Sequence, residues 1–221
     1  MLLPRGRLVK EPFNPSRMDW LEAIGKLTEG GFSGFLDCWD LAGKGIVLFV
    51  RGRLVAARFY TGSGQLTDAE AFAHIFAHSL AGDMRLSIYR VSPELALQLY
   101  GLLTGELLFG GQQLHLLDLP HVLNMLKNDR FSGCLRIWAA EDVALVFYRE
   151  GKPLGFFHDG AAELSGAADL QESIARLPGA AIDLVAGLQD PEADLPDLLQ
   201  SHDISVCWQK AVAQSQGFDI L

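Results

Sequence analysis

Apolar and polar residues alternate along FSGFLDCW at residues 32–39, and the alternation returns 99 positions later as FSGCLRIW at 131–138. In an extended chain alternate side chains point to opposite faces. Leu36 and Cys38 therefore share one face, matched by Leu135 and Ile137. Phe35, Asp37 and Trp39 share the other, matched by Cys134, Arg136 and Trp138. Residues 45–50 and 144–149 read as a second strand, and 53–59 and 152–157 as a third. The turns between them, VRGR and REGK, carry glycine at the same place, where a tight hairpin needs a positive φ. Both faces of the second strand are apolar, so both sides of each sheet are expected to be covered at least in part.

The same spacing aligns far more than this stretch. Gly6, Leu8, Asp19, Leu27, Phe32, Ser33, Gly34, Leu36, Trp39, Val47 and Gly52 all meet identical residues in the second half. Roughly three or four identities would be expected from ordinary composition. A unit of this length is too long for a solenoid repeat and suits a small domain. Each copy predicts a short strand (Gly6–Val9; Gly105–Leu108) and then a helix. That helix is entered by Ser16 with Asp19 behind it, or in the second copy by Asp118 with Pro120 in the first turn. Apolar positions 20, 23, 24 and 27, recurring at 119, 122, 123 and 126, give it one sticky face. After the three strands a second helix follows, opened in the first copy by Thr67 and Glu70 as a capping box. A last strand (Met84–Tyr89; Ala181–Ala186) precedes a final helix, Pro93–Leu103 or Leu195–Gln200. The order predicts an α+β fold: two tandem copies of a small antiparallel sheet with flanking helices, docked as a pseudo-twofold pair. The copies divide the chain as 1–103 and 104–221, the second ending in an acidic helical tail.

Composition narrows the function classes. Of 221 residues, 49% are hydrophobic and 20% charged, the balance of a globular chain. The start MLLPRGRLVKEPF lacks the apolar run of a signal peptide, and no long apolar window exists, so a cytoplasmic protein is expected. Three cysteines without CxxC spacing argue for reduced thiols. The net charge of −9 splits into +3 over residues 1–60 and −12 over the rest. Such a chain is a poor partner for nucleic acid or anionic lipid. The local basic group Arg51, Arg53 and Arg58 suits an acidic protein surface, though a solvated strand edge explains it more simply. Trp39 and Trp138 are either packing residues or partner anchors.

Catalytic signatures are weak. His74 and His78 have the i, i+4 spacing that can place two imidazoles on one metal, but no glutamate base sits between them. The second copy has Ser173 and Leu177 there, and the pair lies off the Phe72/Ile75/Phe76 face. A solvated helix face accounts for it, and no metal or cofactor is expected. TGSGQL at 61–66 precedes a helix but lacks the lysine and spacing of a phosphate loop, and it reads as a plain loop. Cys38 and Cys134 fall on opposite strand faces, so they are not equivalent nucleophiles.

The order of G-x-L, a short helix, F-S-G-x-L, an apolar strand and a G-[RK] hairpin resembles the PATAN-related bacterial domain of unknown function numbered 4388. FSGFL with VRGRLVAA carries the resemblance in the first copy, and FSGCL with REGKPLGF in the second. The resemblance implies a non-enzymatic module in bacterial signalling, with no catalytic residues. The expected partner is another signalling protein, and a second copy of the chain stays open. The rival expectation is a small-ligand sensor with a pocket between the repeats.

Overall fold

The computed structural model describes residues 3–166, 174–187 and 195–218. Its strands are β1 (Arg7–Phe13), β2 (Gly34–Trp39), β3 (Gly43–Val50), β4 (Arg53–Thr61), β5 (Gly64–Thr67), β6 (Arg85–Arg90), β7 (Glu106–Gln113), β8 (Gly133–Ala139), β9 (Asp142–Arg149), β10 (Lys152–Phe157) and β11 (Ala181–Ala186). The helices are α1 (Trp20–Glu29), α2 (Asp68–Ala81), α3 (Pro93–Thr104), α4 (Leu119–Asn128), α5 (Leu198–Ser201) and α6 (Ile204–Phe218). The fold is α+β. One sheet runs β1-β6-β2-β3-β4-β5, the other β7-β11-β8-β9-β10, so the same order recurs apart from β5. Every pairing whose register is resolved is antiparallel.

The repeated FSG has a structural cause that is the same in both sheets. Arg51 and Gly52 both have positive φ in the β3–β4 turn, as do Glu150 and Gly151 in the β9–β10 turn. Two positive φ values in a row match the twist of a two-residue hairpin. The Gly52 N–H donates to the Phe32 carbonyl at 2.7 Å and the Arg51 N–H to Ser33 Oγ at 2.8 Å. In the other sheet Gly151 donates to Phe131 at 2.7 Å and Glu150 to Ser132 Oγ at 2.9 Å. Gly34 has φ +152 and Gly133 φ +155, and a Cβ there would stand 2.1 and 2.2 Å from a carbonyl of β6 or β11. The motif is thus a clamp that fastens a hairpin turn to the start of the neighbouring strand. A register shift also falls at the same place in both hairpins, between Leu48 and Phe49 opposite β4 and between Pro153 and Gly155.

Helix entry is simpler than the sequence suggests. Asp19 itself, not Ser16, is the N-cap of α1, accepting from Leu21 N at 2.9 Å and Glu22 N at 3.1 Å. Asp118 caps α4 in the same way through His121 N. Thr67 stands at the N-cap of α2, yet its side chain makes no capping bond, so the capping box does not form. TGSGQL is not a plain loop but a hairpin into β5, whose turn Thr61 Oγ1 holds by accepting from Gly64 N at 3.1 Å.

Two compact units result. One comprises Leu8–Ala96 with Leu195–Leu221, the other Leu97–Asp194 with Leu2–Arg7. The C-terminal segment, read from sequence as the tail of the second copy, therefore belongs with the first unit. The reason is its apolar stripe: Ile204, Cys207, Trp208 and Ala211 recur at helical spacing and join the core of α1, α2 and the first sheet. Trp208 meets Phe76 of α2 edge-on at 5.3 Å. In that core Trp20 is fully buried, its indole N–H donating to Ser79 Oγ at 2.9 Å. The second unit has a smaller core around Leu126, Leu135, Val146, Ile182 and Leu184. Leu123 of α4, expected on the sticky face, is 41% exposed. Arg136 and Asp183 are mostly buried there and neutralise each other: Arg136 Nε donates to Asp183 Oδ2 at 2.6 Å, and Gly111 N donates to Oδ1 at 2.7 Å. The counterpart of α2 in the second copy was expected in part over residues 167–173, which lie outside the described residues.

Candidate functional site

The hairpin joining β2 to β3 is where the first unit departs most from a plain scaffold. Trp39 and Lys44 pair across it, leaving Leu41 and Ala42 at the tip. Asp at the first position and Gly at the fourth suit a turn of this length. Asp40 Oδ1 accepts from Ala42 N at 2.7 Å and Gly43 N at 3.0 Å, fixing the turn with a carboxylate that is only 1% exposed. On either side of this buried anchor Trp39 is 43% exposed and Leu41 fully so. Two apolar residues are thus held in water by a polar residue turned inward.

The other carboxylate oxygen of Asp40 lies 2.7 Å from His78 Nδ1. The His78 ring stacks on His74 at 4.0 Å, and His74 in turn packs on Phe59 at 4.1 Å between ring centres. Phe59 has room because β3 offers Gly45 beneath it: a Cβ there would meet the ring at 2.9 Å and Ile75 at 3.2 Å. The chain from glycine to aromatic to imidazole explains how β3, β4 and α2 bring both histidines to the turn. The histidines are therefore half-buried packing partners of Asp40 and Phe59, not a solvated helix face. Burial, with the neighbouring His78 second, pushes the His74 pKa below its ordinary value, against the pull of Asp40. Asp40 Oδ2 and His74 Nε2 are buried and have no hydrogen bond of good geometry among the described residues.

The remaining residues singled out from sequence do not assemble with this site. Arg51 occupies the β3–β4 turn and Arg53 starts β4, its guanidinium donating to the Leu195 carbonyl at 3.1 Å. Arg58 lies five residues further along the strand, roughly 16 Å at the usual rise. It is 8% exposed, donating to Asp68 Oδ1 at 2.8 Å and to the Ala57 carbonyl. Three arginines in a row of sequence are thus two exposed residues and one buried ion pair. β5 pairs only with Arg58–Thr61, so the Arg58 end of β4 is covered, while no strand pairs with that side of Arg53–Ala57 among the described residues. Trp138 is half-buried, with Arg136 5.8 Å from its ring, and its Nε1 has no hydrogen-bond partner among the described residues. A cleft of about 20 Å³ between α3 and the strands β8 and β9 is no larger than a water needs.

Cys38 and Cys134 are both buried, and desolvation pushes both thiols well above their ordinary range. Neither is a thiolate nucleophile at neutral pH. No helix among the described residues is long and apolar enough to cross a membrane. No family model matches the chain, and no curated protein or solved structure matches it significantly. Asp40 escaped the sequence reading because it sits in a different element from the histidines. The one signal was its place in WDLAG, an Asp three residues before a Gly-rich strand start, with no counterpart at Ala139.

Proposed function

We propose that this protein works by binding another protein, in bacterial signalling or regulation as the family resemblance implies, and that it catalyses no reaction. The β2–β3 turn carries the reading. Trp39 and Leu41 stand exposed on a turn that Asp40 locks in place, so their apolar surface is presented without the entropy cost of ordering a loop at the moment of contact. Tryptophan is a frequent anchor at the centre of protein interfaces. The masked thiols Cys38 and Cys134 and the internally compensated pair Arg136–Asp183 fit structural roles, whereas the turn combines exposed apolar side chains with a rigid support that favours docking.

The test is a quantitative pull-down comparing the wild-type chain with the double variant Trp39→Ser/Leu41→Ser and with Arg51→Glu/Arg53→Glu. A near-stoichiometric partner lost at least tenfold in the first variant and retained in the second supports the turn as the docking element. Retention by the first variant and loss in the second transfers the surface to the β3–β4 turn. Absence of any enriched protein, with stabilisation by a small metabolite instead, overturns the reading.

A further inference from the structure

Asp40, His74 and His78 each place one donor atom within 4.8 Å of the other two. We propose that these three residues form a binding site for one zinc-class divalent ion, a proposal that stands whether or not the turn binds a partner. The donor set of two imidazole nitrogens and one carboxylate oxygen is what zinc and its neighbours prefer. Tetrahedral ligands at the usual bond lengths of roughly 2.0–2.2 Å stand about 3.3 Å apart. Here one pair is at 2.7 Å and none exceeds 4.8 Å, so modest side-chain rotations close the triangle.

Three features separate this cluster from an ordinary polar contact. The Asp40 carboxylate is already oriented by two backbone N–H groups on its far oxygen, the outer support that metal-ligating carboxylates characteristically have. His74 Nε2 is buried without a hydrogen-bond partner among the described residues, and an unpaired buried polar atom calls for an explanation. An Asp–His pair alone would satisfy His78 but give no reason for a second imidazole stacked against it at 4.0 Å. Metal binding gives one, because two neutral imidazoles one helical turn apart can ligate the same ion. His78 is 35% exposed, which provides an entry path and leaves the fourth coordination position to water.

The ion would fasten α2 to the β2–β3 turn. The second unit supplies an internal control, since its sequence offers Ala139, Ser173 and Leu177 at the corresponding positions. The expected stoichiometry is therefore one ion per chain.

The experiment uses the full chain stripped with chelator and titrated with Co²⁺, followed by visible d–d absorption, then with Zn²⁺ in competition. The expected result is one Co²⁺ per chain with the intense absorption of a low-coordinate N/O site, displaced by Zn²⁺, and a melting temperature raised by Zn²⁺. His78→Gln and Asp40→Asn should each weaken binding at least about tenfold, whereas His121→Gln, at an exposed position on α4, should not change it. Asp40→Asn keeps the acceptor that holds the turn, and His78 is partly exposed, so both variants should fold; unchanged protection of Cys38 from thiol reagents checks this. No saturable binding at one equivalent, or binding that survives in both His78→Gln and Asp40→Asn, overturns the proposal.

Discussion

The β2–β3 and β8–β9 hairpins are the same object with different contents. Both pair a tryptophan across the strand end, Trp39 with Lys44 and Trp138 with Val143, and both have two residues at the tip. In the first, the tip is Leu41–Ala42, anchored by Asp40. In the second, Ala139 replaces the anchor and pairs directly with Asp142, and Ala140 takes a φ of +52. The first turn adds a side-chain anchor to its backbone bond from Asp40 N to Gly43 O; the second relies on backbone pairing. The difference teaches that the duplicated frame, not the turn, carries the fold. FSG and the Gly hairpin do the structural work in both units, so the turn of one copy is free to hold an aspartate over two histidines.

The largest expected contrast lies between the helices α1 and α4. Trp20 is fully buried, whereas Leu119, at the corresponding place in α4, is half-buried. Trp20→Ala should cost about 3–5 kcal/mol and Leu119→Ala about 1 kcal/mol in denaturant unfolding. Cys38 and Cys134 report on each unit separately through their reaction with a thiol reagent. Trp20→Ala should speed labelling of Cys38 and leave Cys134 slow. An equal acceleration of both would mean that the units unfold as one, and the contrast between their cores would lose its local meaning.

A second test asks where the units are alike. Both bury one thiol whose folded-state pKa is raised by desolvation. The unfolded thiol ionises above about pH 8.5 while the folded one holds its proton, so the folded state binds more protons there. Stability contributed by each is thus complete below that pH and falls as pH rises, by about 1.4 kcal/mol per pH unit per thiol. Cys134→Ala and Cys38→Ala should each reduce the alkaline slope between about pH 9 and 10, with buried Tyr148, whose pKa is also raised, supplying part of the remainder. A slope that only one substitution changes would show that the two sites are not equivalent in burial.

How much of this was legible follows from the range of each signal. Hairpins and the FSG clamp could be read because they are local and occur twice; Asp118 was legible as a cap, whereas in the first copy Ser16, three residues too early, competed with Asp19. The placement of α6 could not, since its stripe of Ile204, Cys207, Trp208 and Ala211 shows that it must be buried but not against which unit. β5 was hidden because Thr-Gly-Ser-Gly looks like a loop whether or not its far side pairs with β4. The arginines misled because charge in sequence carries no burial, and Arg58 finds Asp68 ten residues away. Of the metal triad, His74 and His78 were visible as a spacing, while Asp40 needed the fold.

The third contrast is steric. Gly45 leaves room for Phe59 and so for His74, and the second copy has Ala144 in its place. Gly45→Ala should cost about 1–3 kcal/mol through overpacking, because the ring and Ile75 stand close to the added carbon. It should also weaken Co²⁺ binding, since His74 rests on the displaced ring. Ala144→Gly, the reverse change in the second hairpin, should cost only about 0.5–1 kcal/mol from backbone entropy and leave Co²⁺ binding untouched. Equal costs would mean that Phe59 has freedom to move and that the glycine is incidental.

The smallest expected effect is the most telling for function. Leu41 is fully exposed at the tip, so Leu41→Ser should change stability by no more than about 0.5 kcal/mol, measured by thermal or denaturant unfolding. Glu141 at the second tip should tolerate Glu141→Ser equally well. A stability-neutral leucine in water has no structural reason to be there, and serine would serve the turn as well, because Asp40 and not Leu41 makes its hydrogen bonds. If Leu41→Ser instead destabilised the chain by more than about 1 kcal/mol, its side chain would be packing against the protein, and the case for a presented apolar anchor would fall with it.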